Sequence, residues 1–180
     1  LAKQYFGAWS NATEEPAAIP APPAPEPTHV VIVDKPGAPQ TALFAFGIGV
    51  AQSSPDLDAL SVMNYTLGAS FASRINMNLR EVHGYTYGAF STFLFRRAPG
   101  PFIAAASIRT DVTAPAVRET FGEIERIRRS ELSPDELKMA KGAFEQSLAG
   151  RWDTSPDTAA TVGDLFSYDL ALNYYSSLRP

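Results

Sequence analysis

The chain has 180 residues, 45% of them hydrophobic, and no cysteine. That is enough for one ordinary domain with its own core, and it excludes disulfides and thiolate metal sites. A net charge of -4 argues against a nucleic-acid platform, which would be basic, and no apolar run approaches the length of a membrane-spanning helix.

In chain order, "LAKQYFGAW" at residues 1–9 has the pattern of a helix tail with aromatic anchors. It starts at Leu1 rather than at Met, so the sequence reads as a piece of a longer protein and residues 1–9 as the tail of a preceding domain. Residues 10–27 hold Pro16, Pro20, Pro22, Pro23, Pro25 and Pro27, a density that forbids helix and predicts an extended linker. The domain proper is expected from residue 28 to residue 180. "HVVIVD" at 29–34 predicts a strand and "KPGAPQ" a turn. "TALFAFGIGV" at 41–50 predicts a central strand buried on both faces. Ser54 and Pro55 predict a helix start, with Leu57, Leu60, Met63 and Leu67 at helical spacing and Gly68 as its end.

A second helix is expected from about Ser70 to Val82, with Phe71, Ile75, Leu79 and Val82 as its apolar stripe. Two strands at 85–96 and 101–109, joined by "RAPGP", predict a hairpin. Thr113 opens a helix striped by Val117, Phe121 and Ile124. "SPDEL" at 133–137 has the spacing of a capping box, with Ser133 as cap and Glu136 reaching back. Its helix places Leu137, Ala140, Phe144 and Leu148 on one face, and Ser155 opens a last helix to about Leu172. The order predicts an α+β domain, with helices on one face of a mainly antiparallel sheet.

The chemistry concentrates in "LREVHGYTYG", residues 79–88. At about 100° per residue, Ser73, Asn76 and Arg80 share the helix side opposite the apolar stripe. Gly84 is placed as a C-cap, and strand alternation puts Tyr85 and Tyr87 on one face, from which Tyr87 returns beside Arg80. His83 reads as a loop histidine, and His29 has no partner at ligand spacing, so neither begins a metal motif. "FGIG" is not followed by a phosphate-loop pattern, "RIRRS" at 126–130 reads as a solvated helix face, and "NAT" and "NYT" match the glycosylation pattern only weakly.

Several stretches together resemble the second domain of pitrilysin/insulinase-type zinc peptidases, the inverzincins. "NYTLGASFASRINMNLREVHGYTYGAFS" at 64–91 is similar to that family's recurrent "LGG..SRL...LRE..GL.Y" stretch, with Ala69 in place of the second glycine. "DKPGAPQTALFAFGIG" resembles its domain opening, "LSPDELKMAKGAF" its helix pair after the hairpin, and "YFGAW" the end of its preceding domain.

The resemblance implies a clamshell of homologous halves. One half carries H-x-x-E-H, where two histidines hold zinc and the glutamate activates water. The other contributes an Arg and a Tyr seven residues apart, which match Arg80 and Tyr87. On this reading Arg80 and Tyr87 assist catalysis, and Asn76, Arg80 and Tyr87 contact an extended peptide substrate. This sequence has no H-x-x-E-H, so the zinc is expected in a homologous domain in cis or in a partner subunit, and the chain alone is expected to be inactive. The resemblance also implies a bacterial, periplasmic or membrane-associated setting and a domain that stops before its last strand. The alternatives are a catalytically inactive structural or assembly homologue and a small-ligand domain.

Overall fold

The computed structural model describes residues 1–9, 18–24 and 26–178. After helix α1 (Ala2–Phe6) come strand β1 (Gln40–Ile48) and helix α2 (Leu57–Asn64), which runs on through a π-helical turn, Tyr65–Ala69. Helix α3 (Arg74–Asn76) likewise continues as a π-helical segment, Met77–Val82. Strands β2 (Thr86–Phe93) and β3 (Pro101–Arg109) follow, then helices α4 (Thr113–Arg129), α5 (Pro134–Gly150), α6 (Ser155–Ser167) and α7 (Tyr174–Ser177).

The three strands form an antiparallel sheet in the order β1-β3-β2. Alternation sends Ala104, Ala106 and Ile108 of β3 to one face, where they join Ala45, Ala89, Leu67, Ile75, Leu79 and Ala116 in the core. Helices α2, α3 and α4 therefore cover a single face, and the domain is α+β as the sequence predicts. On the other face Phe44 of β1 and Phe90 of β2 both pair with Ala105 and remain half exposed, while Phe46 is 70% exposed.

Several expectations are overturned. β1 is an edge strand with one covered face, because β3 takes the centre. Residues 29–34 form no strand, and Val30–Val33 are each at least 77% exposed. The turn explains this. Ala38 N–H donates to Lys35 O, with Pro36 next and Gly37 at φ 78°, the arrangement of a type II turn. Such a turn splays the flanking segments instead of closing a hairpin ladder.

α2 starts at Leu57, two residues after the expected Pro55, because Ser54 caps a turn: its Oγ accepts from Asp56 N–H at 3.3 Å. The buried side of α4 is Ala116, Thr120 and Glu123, so the stripe is rotated away from Phe121, which is 40% exposed. On α5 only Ala140 is buried, while Leu137 is 38% exposed. α6 ends at Ser167, short of Leu172, and its cap is Thr154, whose Oγ1 accepts from Asp157 N–H. Asp169, at φ 55°, then breaks the helical path before α7.

The capping box of α5 is formed in both directions: Ser133 Oγ accepts from Glu136 N–H at 3.2 Å, and Glu136 Oε2 accepts from Ser133 N–H at 2.8 Å. Such a cap stabilises a helix by about 1 kcal/mol. α1 is exposed along its length. In the Pro-rich stretch, residues 18–24 and 26–27 form no helix or strand and are exposed, while residues 10–17 and 25 lie outside the described residues.

Candidate functional site

The stretch that carries Arg80 leaves the α-helical path. Past Asn76 the backbone widens, and His83 N–H donates to Asn78 O five residues back, at 3.1 Å. Each residue of such a turn advances less than in an α-helix, so a 100° wheel misplaces its side chains. Ile75 and Leu79 are 1% exposed, as their place in the stripe requires, whereas Phe71 at 69% and Val82 at 73% face solvent. The side expected to be polar and outward is partly inward: Ser73 is fully buried and Asn76 is 3% exposed. Gly84 ends the segment as predicted, at φ 62°, donating its N–H to Arg80 O at 3.1 Å.

Arg80 is half-buried. Its guanidinium lies 4.3 Å above the Phe71 ring, close enough for a cation–π contact. Nη1 is shielded from solvent and has no hydrogen-bond acceptor, since Glu81 Oε1, at 3.3 Å, pairs in charge but not in geometry.

Tyr87 is 91% exposed and stands at a break in the ladder. Thr86 pairs with Ile108 and Ala89 with Ala106, so Tyr87 and Gly88 together oppose the single residue Ser107. This is a β-bulge. Thr86 Oγ1 ties it down, donating to Ser107 O at 2.6 Å and accepting from Gly88 N–H at 3.1 Å. The Tyr87 ring borders a shallow hollow of about 480 Å³ on the uncovered face of the sheet, whose rim includes Phe44 and Phe90 and whose floor includes Ala105.

Tyr85 and Tyr87 therefore do not share a face. Tyr85 lies outside the strand, packs against the core and stacks on His83 at 4.8 Å between ring centres. His83 Nε2 is 3.8 Å from Glu119 Oε2 on α4. Among the described residues, no hydrogen bond or ion pair joins Arg80 to Tyr87.

Asn76, expected to contact substrate, turns its amide inward. Nδ2 donates to Phe71 O at 2.7 Å, and Oδ1 accepts from Ala89 N–H at 3.0 Å. Asn78, unflagged in the sequence, anchors the same segment to α4, donating to Glu119 Oε2 and Glu123 Oε1 at 3.1 and 2.9 Å. Arg74 anchors it to α5 through a two-pronged pair with Glu136, at 2.7 and 2.8 Å. One local signal was available for the bulge: a glycine inside a strand pattern, at Gly88.

No grouping of His, Cys, Asp or Glu among the described residues could hold a metal ion. No helix among the described residues is long and apolar enough to cross a membrane.

An α+β layer with helices on one face of a three-stranded antiparallel sheet defines the class of the fold. The family described as "Peptidase M16 inactive domain" matches residues 1–144, and the chain belongs to it. It is thus an inactive C-terminal-type domain of the M16, or pitrilysin, family of zinc proteases. A search of curated proteins finds no match.

Among solved structures, the peptidase M16 inactive domain from Pseudomonas fluorescens is 29% identical, with a TM-score of 0.69, over 76% of this chain and 33% of that one. A protease from Helicobacter pylori is 22% identical, with a TM-score of 0.77, over 98% of this chain and 45% of that one. The periplasmic protease PqqL from Escherichia coli is 16% identical, with a TM-score of 0.64, over 78% of this chain and 16% of that one. The chain thus spans less than half the length of each of these structures.

Proposed function

We propose that this domain is the substrate-facing, zinc-free half of an M16 zinc endopeptidase, with the metal held by a homologous domain in cis or in a partner subunit. Residues 1–9 belong on this reading to the preceding domain and residues 10–27 to the connection. Attack on a peptide carbonyl develops negative charge on its oxygen, and a preorganised hydroxyl donor stabilises that charge better than it does the substrate. Tyr87 Oη is that donor. Arg80 offers forked N–H groups to the carbonyls or carboxylates of an extended peptide. The observation that carries the reading is the bulge, which leaves Tyr87 91% exposed at the rim of the uncovered sheet face instead of packing it away. The shielded Arg80 Nη1, lacking an acceptor, supports it.

Replacing Tyr87 by Phe in the zinc-loaded full-length parent or complex tests the proposal. The ring and its surroundings stay, and only the donor goes. Turnover of an internally quenched peptide is expected to fall by about 100- to 1,000-fold in kcat, the usual effect of losing one oxyanion donor, with an unchanged melting temperature. An unaltered kcat would refute the role of Tyr87 and favour a structural or assembly homologue.

A further inference from the structure

We infer that Asn76 is a positioning residue that sets Arg80 and Tyr87 relative to each other through one buried amide. The inference rests on the catalytic reading of that pair. Each residue has its own support: Arg80 lies on the ring of Phe71, and Tyr87 stands on the bulge that ends at Ala89. They have no direct bond to each other among the described residues. Asn76 touches the support of each. Nδ2 holds the Phe71 carbonyl at 2.7 Å, and the ring of that same residue lies 4.3 Å beneath the Arg80 guanidinium. Oδ1 holds the Ala89 amide at 3.0 Å, immediately after the two bulged residues. A Cβ placed on Gly88 would stand 4.0 Å from Oδ1, so the carboxamide also lies along the back of the bulge.

A carboxamide does both jobs from one side chain, with the donor and the acceptor on separate atoms. The carbonyl partner needs a donor and the amide partner needs an acceptor, a requirement that also fixes which way the group is turned. At 3% exposure water does not substitute for either bond. Asn76 lies four residues before Arg80, at the point where the α-helical path widens, so its side chain ties the helix turn to the strand there. A shift of about 1 Å in a catalytic group is enough to cost about 100-fold in rate. Asn76 is therefore placed to affect turnover without meeting the substrate.

The experiment is a double-mutant cycle in the zinc-loaded full-length parent or complex, using an internally quenched peptide chosen with the unmodified protein. Asn76→Leu keeps the branched shape and removes both bonds. Asn76→Asp keeps the acceptor, loses the donor, and serves if the leucine variant does not fold. In the otherwise native protein, either variant is expected to lower kcat by about 10- to 100-fold with KM changed much less. In the Tyr87→Phe background the same substitution is expected to lower kcat less than about threefold, because with the hydroxyl gone the spacing between it and Arg80 no longer matters. An equal loss in both backgrounds would mean that Asn76 merely sets the folded fraction, and would overturn the inference. So would a native kcat in the variant that folds. If Tyr87→Phe alone leaves kcat unchanged, the catalytic reading itself falls. If that variant loses turnover while the Asn76 variant keeps it, only the positioning role falls.

Discussion

At Glu136 one carboxylate serves two elements at once. It closes the capping box of α5 and pairs with Arg74 at the start of α3 through two hydrogen bonds. The Arg74 guanidinium, helped by the Ser133 amide and hydroxyl and opposed by burial, holds its carboxyl down at about 2, against an ordinary value of 4.5. A carboxyl whose folded value lies below its unfolded one adds stability that is complete above the unfolded value. That stability is lost as pH falls through the window from about 4.5 to about 2. Glu136→Gln is expected to destabilise the domain at neutral pH by about 1–3 kcal/mol, since it breaks charge-assisted bonds to a side chain that is itself 8% exposed. Its melting temperature should then depend less on pH across that window, and a pH series of thermal melts on both proteins checks this. The cap was legible in "SPDE" because its partners are three residues apart. Arg74 was not, because nothing local marks a partner 62 residues away.

Among the elements, the two π-helical segments are where sequence reading and structure part. Periodicity found both helices before β2, although the second starts at Arg74, and it identified Ile75 and Leu79 as core residues. It failed for Phe71, which lies in a turn before the helix starts at Arg74 rather than at Ser70, and for Val82, because a fixed 100° step does not hold once hydrogen bonds reach five residues back. Gly68, expected to end a helix, has a different task in the first π turn: it lets that turn meet β2 backbone to backbone. A Cβ there would collide with the Ser91 amide and side chain. Ser91 is fixed in turn by Asn64, which accepts from its hydroxyl at 2.6 Å and donates to its carbonyl at 3.1 Å. Gly68→Ala should thus cost about 1–3 kcal/mol, the usual range for overpacking a rigid contact. Gly142 is the contrasting case. It lies within α5 with open space where a Cβ would go, so Gly142→Ala should stabilise by up to about 1 kcal/mol. Denaturant titrations of the two variants are expected to move in opposite directions.

For the molecule as a whole, the antiparallel sheet with one helical layer followed from the order of hydrophobic runs, and β3 was found at its predicted bounds. Strand order was not legible, since an apolar run such as β1 reads alike at a sheet's centre or at its edge. The outward residues of β1 are as apolar as its inward ones, with Phe44, Phe46 and Ile48 each more than half exposed. An apolar outer face removes the hydrophobic-in, polar-out alternation that normally marks a one-sided strand. The candidate pair was legible only through its motif. Its physical setting, an arginine on a phenylalanine and a tyrosine on a bulge, depends on contacts across elements that one-dimensional spacing does not encode.

The bulge has a consequence for how tightly site and scaffold are bound together. Pairing counts the residues of β2 two at a time, and Gly88 is the odd one in that count. Without it Thr86 would still oppose Ile108, Tyr87 would oppose Ser107, and Ala89, Ser91 and Phe93 would keep their present partners on the covered side. The layer is thus expected to survive loss of that single residue, with the circular dichroism of the parent retained, while peptide turnover in the zinc-loaded assembly falls as Tyr87 takes the regular strand direction. Gly88 is thus the residue at which the register of the sheet and the exposure of Tyr87 come apart.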